Sequence, residues 1–268
     1  MKLFWNIIFS ALGVALLAGC AKNSPDSFQG YVEGEYVYVA APLGGALTNL
    51  AVARGDTVKA GQLLFGLERQ SEADALTLAE KNLSQAQARL DLSQSIYQRR
   101  KELHEAPSGV VSQEELDTTR SQRDADAAEV AAQEAALAKA KWSLDQKQQF
   151  APAAAVVHDT LYRSGEWVAA GNPVVALLPP ANLKVRFFVP QATLPQIKTG
   201  QTISVHCDGA AHAFKATVNY LSTQAEYTPP VIYSREARAS IVFMIEAKFS
   251  PADAADVRPG QPVDVRLN

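Results

Sequence analysis

Residues 41–67, APLGGALTNLAVARGDTVKAGQLLFGL, return 110 positions later as residues 151–177, APAAAVVHDTLYRSGEWVAAGNPVVAL, without a gap. Ala41/Ala151, Pro42/Pro152, Gly55/Gly165, Val58/Val168, Ala60/Ala170, Gly61/Gly171 and Leu67/Leu177 are identical pairs, and Asp56/Glu166 is conservative. A repeat of this kind constrains the fold before any other feature, because one short pattern must make the same supersecondary unit twice. Each copy reads as short strands around turns. Gly55 and Gly165, each followed by an acid, supply the residue that tolerates positive φ, and Gly61 and Gly171 mark the next turn. Val58 and Val168 point inward, and an apolar strand follows. A half this small cannot cover its own apolar face. Two halves facing each other can, as a flattened β-sandwich.

The segment between the halves has a different character. From Glu68 to Gln149 it holds one proline, Pro107, and one glycine, Gly109, among many Ala, Gln, Glu, Leu, Lys and Arg residues. Leu76, Leu83, Leu90 and Tyr97 recur every seven residues, with Ala79, Ala86 and Ser93 between them. Leu116, Arg123, Val130, Leu137 and Leu144 keep the same spacing, with Gln133 and Ala140 at intervening positions. A sustained seven-residue repeat predicts a left-handed coiled coil, and the break at Pro107-Ser108-Gly109 folds it into an antiparallel pair. Each arm of about 36 residues, at roughly 1.5 Å per residue, reaches about 54 Å. Such a rod adds little to a core, so its role is reach. Ser112-Gln113-Glu114-Glu115 opens the second arm as a capping box, with the Ser112 hydroxyl and the Glu115 carboxylate each serving a free helix-end N–H.

The pattern G-D/E-x-V-x-A-G followed by an apolar strand resembles each half of a biotinyl/lipoyl-type domain. A swinging-arm carrier would need a lysine on the short hairpin joining the halves. That junction is the long insertion, and Lys59 lies inside the first half, opposite Ala169. The carrier is therefore the weakest alternative. With the split order of half-motif, hairpin and half-motif, and with Arg99, Leu103 and Ser112 placed as an Arg-x3-Leu then Ser motif at the hairpin tip, the chain resembles the HlyD/AcrA-type membrane fusion proteins, or periplasmic adaptors. The interval from Leu103 to Ser112 is two residues longer than the family pattern. The resemblance implies that the tip residues dock on a TolC-like outer-membrane duct. It also implies that copies form a ring, commonly a hexamer, resting on an inner-membrane transporter. An envelope scaffold coupled to no transporter is the other alternative.

After Pro179-Pro180 the chain alternates as strands: LKVRFFVP, a short helix within QATLPQIK, then QTISVHC, AFKATVNYLS, ASIVFMIEAKF and VDVRL. This spacing predicts a small β-barrel. It agrees with the family's barrel domain, including the R-P-G-Q-x-V turn before the last strand. AEYTPP, residues 225–230, resembles a barrel loop of adaptors that serve ABC exporters. With a chain that ends at the barrel, it favours an ABC transporter over an RND or major-facilitator partner.

The N-terminus addresses the compartment. Lys2 precedes an apolar run from Ile7 to Ala18. That run is shorter than the roughly 20 residues a membrane span needs, so it reads as a cleaved export signal. Leu17-Ala18-Gly19-Cys20 resembles a lipobox, which makes Cys20 the lipidated first residue of the mature chain and leaves Cys207 an unpaired thiol. Ala21 stands where an inner-membrane retention signal would have aspartate, so the choice of membrane stays open, with the inner membrane favoured for a periplasmic adaptor. The division is then signal peptide 1–19, anchored linker 20–30, first half-motif with a leading strand 31–67, hairpin 68–149, second half-motif 150–180 and barrel 181–268.

A net charge of -3 gives no sign of a nucleic-acid partner. The four histidines show no metal-ligand spacing, and His206 and Cys207, as successive strand residues, face opposite sides. No metal, cofactor or catalytic residue is expected. The chain reads as a mixed α and β, elongated protein that is not an enzyme.

Overall fold

The computed structural model describes residues 27–107, 110–210, 212–227, 241–250 and 252–267. They form two compact units. One runs from Tyr36 to Pro179; the other joins the segment up to Glu35 with the chain from Pro180 onward.

In the first unit, β2 (Val37–Ala40), β3 (Gly45–Leu50), β4 (Thr57–Val58) and β5 (Leu63–Leu67) come from one half-motif. The other half-motif supplies β6 (Gln148–Phe150), β7 (Ala155–Thr160), β8 (Trp167–Val168) and β9 (Pro173–Leu178). The two sheets have orders β2-β9-β7-β4 and β6-β5-β3-β8. Each strand of one sheet is thus replaced in the other by its repeat counterpart, and every sheet mixes strands from both halves. The turns interlock in the same symmetric way. The Gly55 N–H donates to the Val157 carbonyl at 2.9 Å, and the Gly165 N–H donates to the Leu47 carbonyl at 2.7 Å. All four turn glycines have positive φ, between 77° and 96°, with open space where a Cβ would stand. Their backbone conformation, and not crowding, selects glycine. The Asp56/Glu166 pairing has an equally local cause. Asp56 accepts from the Ala53 N–H at 2.8 Å and Glu166 from the Arg163 N–H at 2.9 Å, closing the same turn in each copy. Val58, Leu64, Phe65, Val168, Val174 and Val175 are fully buried between the sheets.

The insertion is two helices, α1 (Gln70–Glu105) and α2 (Gln113–Asp145). It ends earlier than the spacing predicts, since residues 148–150 pair with β5 as β6. Three residues of Gln-Gln-Phe carry no strand signature of their own; sheet pairing decides their state.

The second unit is a closed barrel of β1 (Phe28–Gly34), β10 (Leu183–Pro190), β13 (Ile241–Phe249), β12 (Phe214–Tyr227), β11 (Thr202–Cys207) and β14 (Pro262–Leu267), in that order. The leading strand, expected within 31–67 beside the first half-motif, belongs here, and it starts inside the segment 20–30 expected as linker. β1 pairs with both β10 and β14, which removes the two edges that the C-terminal strands alone would leave open. At Gly30 it crosses β10 so closely that a Cβ would lie 2.5 Å from the Arg186 carbonyl oxygen. The short helix expected after β10 is a single 3-10 turn, Leu194–Gln196.

Candidate functional site

The hairpin seam follows the heptads. Ala79, Ala86 and Ser93 are buried on α1 and Leu144 on α2, with Leu83, Leu90, Val130 and Leu137 half-buried beside them. Small seam residues let the helices approach closely. Arg123, a cation at an apolar position, sits with its guanidinium 4.6 Å over the Tyr97 ring, a cation–π contact in place of an aliphatic one.

Toward the tip, Arg99 and Leu103 are exposed one turn apart on α1, and Ser112 is exposed at the start of α2. Leu103 retains 39% exposure, outside the seam; the half-buried residue at that level is His104, whose Nδ1 lies 2.8 Å from the Val111 carbonyl oxygen. Ser112 caps α2, its Oγ accepting from the Glu115 N–H at 3.2 Å. The Glu115 carboxylate, expected to complete the capping box, instead meets Arg100 on the other helix at 2.5 Å. An ion pair this exposed adds little stability. Val111 is buried while Val110 is 67% exposed, so the tip presents Val110 and Leu103 as apolar surface. Ser108 and Gly109 of the expected break lie outside the described residues.

Sequence reasoning missed the hairpin root. The Lys147 side chain is only 5% exposed; its Nζ donates to the Gly44 carbonyl at 2.8 Å and pairs with Glu72 Oε1 at 2.9 Å. Glu72 stands in the first turn of α1, Lys147 lies two residues past the end of α2, and Gly44 precedes β3. One buried cation therefore ties both arms of the rod to the sandwich. Read by composition, Lys147 is one more solvated charge.

The barrel carries a second ionic cluster. Lys184 Nζ is 2.6 Å from Glu35 and 2.9 Å from Glu246, and Arg186 Nη2 lies 2.8 Å from Glu33 and 2.9 Å from Glu246. Burial alone would raise the Glu246 pKa, but the hydrogen bonds and charges of Arg186 and Lys184 outweigh it and hold the carboxyl below the usual range. Burial likewise works to lower the Lys184 pKa, and the Glu35 and Glu246 contacts overcome it and raise it. The hydrogen bond to Glu246 is the main cause that raises the Arg186 pKa. A depressed carboxylate contributes stability that is complete above its unfolded pKa and is lost as pH falls through its folded one. Lys184 behaves conversely, losing its contribution as pH rises through its raised value. Glu246→Gln should therefore lower stability at neutral pH by about 1–3 kcal/mol. The gap from the wild-type chain should narrow as pH falls below the ordinary glutamate range and through the depressed value in the folded chain. Urea midpoints at pH 7 and pH 3 measure both, and an equal gap at the two values would contradict the linkage.

His206 is exposed and Cys207 buried, on opposite sides of β11. Burial first, and then the charge of Asp208, push the Cys207 thiol pKa up. Among the described residues no group of His, Cys, Asp or Glu is arranged to hold a metal ion, and no helix is long and apolar enough to cross a membrane. Cys20 with its lipobox, and Thr228-Pro229-Pro230 of the expected transporter-class loop, lie outside the described residues.

Residues 75–147 match the family model for the alpha-helical hairpin domain of RND membrane fusion proteins. Among solved structures, the fold is similar to that of the membrane fusion protein Spr0693 from Streptococcus pneumoniae R6, with a TM-score of 0.66 and 19% identity over 90% of this chain and 98% of that one. It is also similar to MacA from Actinobacillus actinomycetemcomitans, with a TM-score of 0.68 and 17% identity over 90% and 78% of the two chains. The UPF0194 membrane protein YbhG of Salmonella gallinarum is 30% identical across 89% of this chain and 87% of its own length. The half-motifs joined across a coiled-coil hairpin, the barrel unit and a relative matched across most of both chains agree: the chain belongs to the membrane fusion proteins, with the UPF0194 membrane proteins as its relatives.

Proposed function

We propose that this chain is the periplasmic adaptor of a tripartite efflux or secretion system, tethered by a lipid on Cys20 and coupling an inner-membrane transporter to a TolC-like outer-membrane duct. The observation that carries the reading is the hairpin. Two helices of 36 and 33 residues run unbroken from a sandwich that receives both their ends. At about 1.5 Å per residue the longer one extends roughly 54 Å, and it holds an exposed apolar tip at its far end.

In this reading Arg99, Leu103 and Ser112 touch the duct, and Gly55, Gly61, Gly165 and Gly171 keep the half-motifs in the shape that anchors the rod. Several copies form a ring, and the transporter supplies the energy. The adaptor contributes reach and a tip contact that is weak per copy and strong through multivalency. An ABC exporter is the favoured transporter, on the AEYTPP segment. Residues 1–19 act as the signal peptide, and the sandwich and barrel face the transporter.

Site-directed photocross-linking from positions 103 and 112 in intact cells tests the central claim. An outer-membrane duct protein should be trapped from both positions, and not from an exposed position on the barrel such as 215. A chain that traps no duct, yet sits lipidated in the envelope, would be a scaffold and not an adaptor.

A further inference from the structure

The two flanks of the hairpin leave different groups exposed. On α1, Leu78, Leu92 and Ile96 are 62%, 63% and 39% exposed. At roughly 100° per residue they form one stripe about 90° round the helix from the Ala79–Ala86–Ser93 seam. On that same flank, near the sandwich, both helices line an open cavity of about 470 Å³, with Leu78, Ala75, Ala79, Asn82, Ala136 and Ala140 among its walls. On α2, Trp142 is 51% exposed. It stands about 150° from the seam of its own helix, turned toward the opposite flank. The heights agree as well. Arg100 lies opposite Glu115 and Tyr97 opposite Arg123, and counting along the antiparallel arms brings Trp142 level with Ala75, within one turn of the cavity.

We propose that Trp142 of one copy seats in this cavity of the next, so that chains associate head to tail, the back of α2 against the flank of α1. The proposal rests on the ring reading above and names the surfaces that build it. An enclosed cavity of ~150 Å³ already admits benzene, so this larger, open one has room for an indole. Knob and socket lie on opposite flanks of one chain at one height, and repeating a single operation satisfies every copy, which is the heterologous contact that builds a ring when its rotation closes. Charge selects the same pairing. Residues 89–105 of α1 carry four cations and three anions, a net +1, whereas residues 113–129 of α2 carry two cations and six anions, a net -4. Setting α1 against a neighbour's α2 joins opposite signs; a two-fold pairing of α2 with α2 joins like ones.

The test uses the full chain in its own membrane, with Asn82→Cys and Ala138→Cys flanking the socket and the knob while Leu78 and Trp142 stay in place. Oxidation should give a ladder of interchain disulfides only when both cysteines are present. Adding Trp142→Ala should weaken association about 30-fold, as loss of a pocket-filling tryptophan does, and Trp142→Phe should restore most of it. A ladder indifferent to Trp142→Ala overturns the socket, as do dimers from Asn82→Cys alone, which would mean a two-fold contact. If native mass spectrometry finds multimers of the unsubstituted chain but the double-cysteine chain gives no ladder, the socket is wrong and the ring stands. If the unsubstituted chain is monomeric, both fall.

Discussion

Replacing Lys147 with methionine should cost about 3 kcal/mol of stability, toward the lower end of the ~3–5 kcal/mol seen when one member of a buried ion pair is removed. The reasons lie in what the substitution leaves behind. Lys147 is the cation facing Glu72 Oε1 and the donor to the Gly44 carbonyl, and the second oxygen of Glu72 is already buried without a hydrogen-bond partner. Methionine fills the space of the aliphatic stem but leaves that carboxylate unpaired, and the carbonyl loses its donor as well. Glu72 keeps 20% exposure, so water reaches it in part and limits the penalty. Adding Glu72→Gln should recover more than half of the loss, because a neutral amide needs no counter-charge. Urea denaturation of the detergent-solubilised chain, followed by helical circular dichroism, gives both numbers. Hydrogen exchange should locate the damage in the first turn of α1 and the last of α2, with the tip unchanged. A Lys147→Met chain within 0.5 kcal/mol of wild type would show that the root is held by packing alone.

How far the fold could be read from the residues follows from how local its causes are. The half-motifs were legible because the same turn chemistry occurs twice: a glycine at positive φ, an acid closing the turn and a valine pointing inward. The hairpin was legible because a seven-residue period has one structural meaning. β1 was not, since nothing in Phe28–Gly34 says whether its partner is the adjacent half-motif or strands about 150 residues or more away. Barrel closure decides it, and closure is a property of the whole sheet. The site divides in the same way. Ser112 as a helix cap is local and was read from four residues, while the choice of Glu115 for Arg100 depends on the register between two helices. Lys147 is the extreme case, an ordinary surface residue type made structural by Glu72 and Gly44, which are remote in sequence.

Leu103→Asp should abolish transport that depends on this protein while leaving folding and lipidation intact. The leucine lies outside the seam with 39% exposure, so an aspartate there remains in contact with water, and the expected change in stability is within about 0.5 kcal/mol. In a docked tip the same carboxylate would be driven into an apolar contact, where an unpaired charge and a lost anchor together cost about 2–4 kcal/mol per copy. Because the copies of a ring engage together, that penalty multiplies across the assembly and the contact fails as a unit. Ser112 needs a different substitution for the same question. Alanine there would remove the cap on α2 and cost about 1 kcal/mol of helix stability, confounding docking with folding. Ser112→Asn keeps a capping oxygen, so a transport defect in that variant would belong to the duct contact alone. Accumulation of a transported dye or drug in cells lacking competing pumps gives the functional reading, and thermal melts with a lipid-dependent gel shift give the other two. Normal transport by a folded, lipidated Leu103→Asp chain would remove Leu103 from the interface and place the contact elsewhere on the tip, at Val110 first, the most exposed apolar side chain there.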